Sequence, residues 1–310
     1  MRDDELDFGI MTGGPGTDVG ALEQYPVESL WVGGHVASVN PSPEAMVSLA
    51  WLAAMTERVR VGTSILLLPL YEPAIVAKQV ADLDNATGGR VTLGVGIGGE
   101  YPGEFRACRV PRSERGTRTD EAIGLIRRLW SGEELTHDGR FYAMEDVRIH
   151  PAPAQAHLPV PVAGRQEPAM RRAALLGDGW MPYLYSPRRY AASVETIREV
   201  AQREGRDLTG FEWFCFVFVN VRADGDRARR EAAEFLGGTY REGDFESMIR
   251  NVAAAGDRDE VAATLQAFVD AGARHFIFTP ASRADARGVL DTLFADVVPR
   301  LSLPPETHPR

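Results

Sequence analysis

The residues of this chain best suited to chemistry are a histidine, two glutamates and a run of glycines. His35 follows Gly33-Gly34 directly after the β-like run Glu28 to Val32. An imidazole there can act as an acid or donate to a ring carbonyl, and the two glycines let its loop fold over a pocket; a structural histidine is the alternative reading. The run Gly94-Val95-Gly96-Ile97-Gly98-Gly99-Glu100-Tyr101 formally matches the dinucleotide fingerprint G-x-G-x-x-G. That fingerprint needs a helix opening inside the match, so that its N-terminus meets a pyrophosphate. Here Tyr101-Pro102-Gly103 follows, and the next clear helical pattern (Ile123, Ile126, Leu129, Trp130) begins more than a turn later, so the dinucleotide reading fails. A glycine-lined strand end, where a flat ring approaches the backbone closely, fits better than a bare tight turn. Glu100 and Glu104 lie in this loop, and either can face a substrate.

A second group is Gly164-Arg165, just before an amphipathic run from Ala169 to Leu176. Helix N-terminal amides and a guanidinium can together hold a phosphate, whereas a surface arginine is the bland alternative. The remaining histidines carry less. His137, His150 and His157 fall in one long connection and His308 in the C-terminal tail, without metal-ligand spacing, and His275 opens a core strand as a structural histidine would. No P-loop, H-E-x-x-H or G-x-S-x-G element is present, which removes support for P-loop phosphoryl transfer, zinc proteolysis and α/β-hydrolase chemistry.

These residues fall at the ends of short β-like runs that alternate with amphipathic ones, the pattern of parallel strands joined by crossover helices. The predicted strands are Asp7 to Met11, Glu28 to Val32, Val59 to Leu68, Arg90 to Ile97, Pro159 to Ala163, Gly179 to Pro182, Phe211 to Val221 and Arg274 to Thr279. Ile65-Leu66-Leu67-Leu68 and Phe214 to Val219 are apolar without alternation, as in strands buried on both faces. Ser42-Pro43-Glu44 and Ser186-Pro187 each place a cap residue before proline at a helix start, and Asp257 with Glu260 forms a capping-box pattern. Such a chain, without a linker-like stretch, predicts a single (β/α)8 TIM barrel with insertions over residues 1–310. The stretches Ser131 to Leu158 and Thr239 to Asp244 read as irregular insertions, and about 301–310 as a tail. In such barrels the active site lies at the C-terminal strand ends, which is where His35, Ser64-Ile65, Gly98 to Glu100 and Gly164-Arg165 fall.

Composition narrows the partners. The chain has 310 residues and a net charge of −10, which disfavours a nucleic-acid backbone or an anionic membrane surface and leaves a small molecule as the expected partner. No apolar run approaches the roughly 20 residues of a membrane span and the N-terminus has no signal-like core, so a cytoplasmic location is expected. Cys108 and Cys215 are too few and too isolated for a disulfide framework or a thiolate metal cage.

Taken in order, Ser29-Leu30-Trp31-Val32 with His35, Ala53-Ala54-Met55-Thr56-Glu57-Arg58-Val59-Arg60-Val61-Gly62, Leu83 to Arg90, Gly94-Val95-Gly96 through Glu104-Phe105, Arg115 to Glu121, Gly139 to Tyr142 and Gly177-Asp178-Gly179-Trp180 resemble the luciferase-like superfamily of flavin- and deazaflavin-dependent oxidoreductases. Gly62-Thr63-Ser64-Ile65 and Arg118 to Ile123 look most like its coenzyme F420 branch. The resemblance implies a barrel that is usually dimeric, with a ring held against the strand ends. It implies a non-proline cis peptide at Ser64-Ile65, ring contacts from His35, Ser64, Ile65, Gly98 and Glu100, and a phosphate near Gly164 and Arg165. Two departures are visible: glycine-rich Gly13 to Gly20 and a short Ala21 to Tyr25 replace a full first helix, and Gly34 stands where relatives carry an acidic residue before the histidine.

The function expected from this resemblance is F420-dependent hydride transfer to or from a small organic substrate, with His35 or Glu100 handling the proton. The alternatives are an FMN-dependent monooxygenase served by a separate reductase, and a non-catalytic flavin-binding barrel. Leu70-Tyr71, Tyr101, Trp180, Tyr183 and Tyr185 are candidate pocket walls, with core or dimer contacts as the other reading.

Overall fold

The computed structural model describes residues 5–240 and 243–304. The chain forms two compact units: one of Thr12–Glu23 and Ser29–Trp180, the other of Met1–Met11, Gln24–Glu28 and Met181–Arg310. Among the described residues, no helix is long and apolar enough to cross a membrane. His308 lies outside the described residues, as do positions 241 and 242 of one predicted insertion.

In the first unit, Ser29–Val32 runs parallel to Arg60–Thr63, which pairs in turn with Val91–Thr92. Leu66–Leu67 runs parallel to Val95–Gly96, and Val95 lies opposite Val162 of the strand Pro161–Ala163. The predicted strands Val59 to Leu68 and Arg90 to Ile97 are therefore each broken in two. The break comes where the chain changes neighbours: Ser64 N donates to Val32 O at 2.6 Å, whereas Leu66 N donates to Gly94 O at 2.9 Å. Trp31 is fully buried with its ring over Gly62, where a Cβ would come within 2.4 Å of the indole. Gly62 thus makes room for the largest side chain of the layer.

The helix expected after Ser42-Pro43 begins later, at Ala45, and Glu44 rather than Ser42 is its cap, accepting from Val47 N at 2.7 Å. Pro43 is held elsewhere, its carbonyl accepting from His35 N at 3.1 Å. The first connection carries only the four-residue helix Val19–Leu22, matching the abbreviated unit expected from the sequence. Between Ser131 and Leu158 the chain is more ordered than predicted: Leu135–Asp138 and Ala143–Val147 form an antiparallel hairpin. Glu121 pins its turn, accepting from His137 Nε2 at 3.1 Å and from Tyr142 N at 3.1 Å, while the Arg118 guanidinium lies 4.7 Å from the Phe141 ring centroid. Glu121 therefore belongs to the scaffold. So does Asp84, fully buried, which accepts from Gln155 N at 2.9 Å and Gln155 Nε2 at 2.7 Å. These bonds compensate the burial of its carboxylate.

The strand Gly179–Met181 carries the chain from the first unit to the second. There, Asp7–Met11 pairs in parallel with His275–Pro280, and His275–Pro280 with Glu212–Val221. The strand Ala253–Gly256 also pairs with Glu212–Val221 and was not predicted, because Ala-Ala-Ala-Gly carries no β-branched or aromatic signal. Ser186 caps Pro187–Arg203, and Asp257 with Glu260 forms both halves of the capping box ahead of Arg258–Asp270. His275 is 1% exposed, 3.6 Å from Glu212 and 3.9 Å from Asp7, the structural position expected for it.

Candidate active site

Four strand ends of the first unit meet at one edge. Because Leu67 pairs with Gly96 and Val95 with Val162, the segments following these strands, Ile97 to Tyr101 and Gly164-Arg165, emerge as neighbours. Ser64 N bonded to Val32 O brings the end of the His35 strand alongside Ser64-Ile65. The Ser64-Ile65 peptide is cis, as the resemblance implied. Ile65 turns its side chain onto Gly96, where a Cβ would meet Ile65 Cδ1 at 2.0 Å and Ala163 Cβ at 3.6 Å.

Glycine at this edge answers a backbone requirement. Gly98 (φ +62), Gly99 (φ +128) and Gly164 (φ +142) all adopt left-handed backbone that side-chain-bearing residues rarely visit. A Cβ at Gly164 would come within 2.4 Å of Ala169 Cβ, at the start of the helix Glu167–Leu176. The Gly164 carbonyl is fixed by Trp180 Nε1 at 2.9 Å. Arg165 and Glu100 each take part in a polar contact, and Glu100 is exposed. The result is an edge formed by main chain rather than by side chains.

Facing this edge is a pair that joins distant parts of the sequence. His35 Nδ1 lies 3.3 Å from Glu104 Oε2, and the Tyr101 ring meets the imidazole edge-on at a centroid distance of 4.8 Å. Glu104 stands on the helix Pro102–Ala107, which the sequence pattern did not predict. Proline at its first position was the available signal, but six residues are too few to display a helical period. The helix starts three residues past Gly99, outside the G-x-G-x-x-G match, so the dinucleotide geometry is absent. Glu104 is 0% exposed, and its Oε1 is buried without a hydrogen-bond partner. A buried carboxyl oxygen without a partner is costly, so the contact with His35 is what offsets the burial of this side chain.

Beside this pair, Tyr71 donates to Glu44 Oε1 at 2.5 Å, so the residue that caps one helix also holds a ring near the site. Burial, reinforced by Glu44 and also by Cys108 and Glu104, pushes the Tyr71 phenol well above its ordinary value. The Cys108 thiol is pushed up too, by burial first and then by the Glu104 carboxylate. Of the other candidate walls, Trp180 is fully buried, and Tyr185 is core, its hydroxyl 3.1 Å from Ser193 Oγ. Tyr183 stacks on Tyr240 in the second unit.

Residues 19–275 match the family described as luciferase-like monooxygenase. An F420-dependent glucose-6-phosphate dehydrogenase of Kineococcus radiotolerans is 30% identical over 312 residues, spanning 90% of both chains. Among solved structures, an F420-dependent secondary alcohol dehydrogenase in complex with an F420-acetone adduct superposes with a TM-score of 0.84 at 21% identity, covering 96% of this chain and 99% of that one. The oxygenating constituent of 3,6-diketocamphane monooxygenase of Pseudomonas putida, in complex with FMN, gives a TM-score of 0.75 at 18% identity, covering 97% and 99%. The fold class is thus that of the luciferase-like (β/α)8-barrel enzymes, as expected. By sequence and by fold, this chain belongs to the luciferase-like monooxygenase family.

Proposed function

We propose that this protein is an F420-dependent oxidoreductase that moves a hydride between the deazaflavin ring and a small alcohol or carbonyl compound. The observation that carries the reading is Glu104, a fully buried carboxyl with one oxygen on His35 and the other without a partner, beside a strand-end edge of left-handed glycines. Ser64-Ile65, Gly98 and Gly164-Arg165 are the residues that would hold the ring and its phosphate. Bound there, the deazaflavin supplies a two-electron acceptor or donor of hydride. The F420-dependent relative that spans 90% of both chains supports this choice of cofactor.

The proton is the work of this chain's own residues. With Glu104 accepting at Nδ1, the Nδ1 proton of His35 is fixed and Nε2 is left to face the substrate. His35 Nε2 takes the hydroxyl proton as an alcohol carbon loses its hydride, and returns it in the reverse direction; Glu104 steadies the cationic imidazole between the two events. Tyr101 fixes the plane of the imidazole through its edge contact.

The FMN-complexed monooxygenase of the same fold favours one second reading, an FMN-dependent monooxygenase supplied by a separate reductase. Fluorescence titration with F420 and with FMN separates the two. Tight binding of F420 with weak binding of FMN is expected; the reverse moves the protein to the oxygen-using branch, and binding of neither leaves a non-catalytic barrel.

The same reading includes a homodimer. The helix Ala45–Met55 has no charged residue, yet Val47, Ala50, Ala54 and Met55 are exposed and Trp51 half-exposed, forming an apolar stripe at helical spacing. Val47 and Met55 are 64% and 53% exposed, and Ile75 on the following helix is 57% exposed. In a chain of net charge −10, an uncharged stripe alternating large and small side chains suits a second copy better than a charged partner. Val47→Glu with Met55→Glu is expected to convert a dimer to a monomer in light scattering; an unchanged mass rules this face out.

A further inference from the structure

We propose that Arg112 and Arg115 form an oxyanion clamp for the acidic tail of the ring cofactor, gripping either the phosphate from the side opposite Gly164-Arg165 or the carboxylates beyond it; this inference rests on the ring-binding reading above. The clamp stands at the outer end of the glycine shelf. Arg112 Nη2 donates to the Gly99 carbonyl at 2.8 Å, and Arg115 Nη1 donates to the Arg112 carbonyl at 2.7 Å. From the Cβ position of Gly99, Arg112 Nε lies 3.4 Å away and Arg115 Nε 3.6 Å, so both guanidiniums crowd a single left-handed turn.

Neither cation is neutralised from within. Among the described residues no carboxylate pairs with Arg112 or Arg115, and the adjacent Glu114 is committed to Arg118 at 3.0 Å. Arg115 Nε is buried without a hydrogen-bond partner. Behind it, Arg172 is 7% exposed and donates to the Gly116 carbonyl at 3.1 Å; Asp120 pairs with this guanidinium, yet its Nη1 is also buried without a partner. Arg115 opens the helix Arg115–Leu129, whose N-terminus adds its own positive end. Two adjacent guanidiniums with no counter-charge repel, and an oxyanion bridging their accessible nitrogens removes that repulsion. In an acidic chain such a spot is a selective one for an anion.

The test compares ring ligands with and without their acidic tails. Dissociation constants are measured by fluorescence for F420 with one glutamate, F420 with several, the deazaflavin riboside core lacking phosphate and glutamates, FMN and riboflavin. Wild-type protein is expected to bind the acidic deazaflavins about tenfold tighter than the core at low salt, a preference of about 1.4 kcal/mol. Arg115→Gln and the exposed Arg112→Gln are expected to erase most of it, with Arg115→Lys retaining part; because Arg112 also holds the Gly99 carbonyl, unchanged core affinity is expected of Arg115→Gln. A preference that is the same for one glutamate as for several identifies phosphate as the anion; one that grows with glutamate number identifies the tail carboxylates. If neither deazaflavin form binds but FMN does, the F420 reading fails, and the clamp is judged by FMN against riboflavin with the same variants. The clamp is overturned if the variants keep the preference, if they weaken core and acidic ligands alike, or if no ring ligand binds.

Discussion

The carbonyl oxygen of Pro43 accepts a hydrogen bond from His35 N at 3.1 Å, and a Cβ on Gly34 would come within 2.1 Å of that same oxygen. Ala45 N would lie 2.8 Å from that Cβ, so the obstacle is backbone on both sides. The glycine before the histidine is what lets the loop close onto Pro43 and present the imidazole.

Gly34→Ala is therefore expected to destabilise the protein by about 1–3 kcal/mol and to weaken ring binding, because backbone cannot yield as a side chain can. Gly237→Ala, where nothing lies within 4 Å of the added methyl inside a helix, is expected instead to stabilise by up to about 1 kcal/mol. Thermal denaturation of the two variants beside the wild type reads both signs.

Glu104→Gln keeps the shape of the buried side chain and removes its charge. Turnover is expected to fall about 100-fold with little change in ring affinity, since the loss is in holding the proton on His35. The same change should lower the pKa of the Cys108 thiol, which the Glu104 carboxylate helps to hold up, and so speed its alkylation at about pH 8. A thiol rate that does not move would show that no anion stands beside Cys108.

At Gly96 the obstacle is the tip of a side chain, Ile65 Cδ1, rather than backbone. Gly96→Ala is expected to fold but to push Ile65 aside, weakening ring binding about tenfold, and Gly96→Ala with Ile65→Ala is expected to recover much of that affinity. Titration of the single and double variants checks the coupling.

The Glu260 carboxyl is held below its ordinary value by the Asp257 backbone N–H at 3.0 Å and by Arg229 at 2.7 Å. A lowered folded-state pKa means this stabilisation is present above the ordinary carboxylate value of 4.5 and is lost as pH falls through the lower folded value. Solvent screening of this half-exposed group keeps the effect small: Glu260→Gln should cost up to about 1 kcal/mol near pH 7 and progressively less as pH falls below the ordinary value of 4.5. Urea denaturation at the two pH values measures the difference.

Much of the frame was legible because its signals are local. The cap at Ser186 and the box at Asp257 and Glu260 need only a few consecutive residues, and both formed as read. Glu44 displaced Ser42 as the cap because Pro43 is committed to His35, a contact outside any local window. Ala253–Gly256 stayed hidden because its residues have no strand preference and gain one only from the neighbour they pair with. The site was legible in part. His35 and the glycine run stand out by position, and the Ser64-Ile65 cis peptide came from family likeness rather than spacing. The choice between Glu100 and Glu104 depends on a six-residue helix and on a partner 69 positions away, which no local pattern encodes.

The shelf formed by Gly96, Gly98, Gly99 and Gly164 has an evolutionary corollary. A surface shaped by main chain is indifferent to most exchanges among the side chains around it, so it can persist while its surroundings are rewritten. On the ring-binding reading proposed above, descendants of one ancestor can then diverge in what they transform without relearning how to hold the same ring. Change confined to the four glycines themselves would end that inheritance, since each carries either a left-handed turn or a contact that a single methyl group would obstruct.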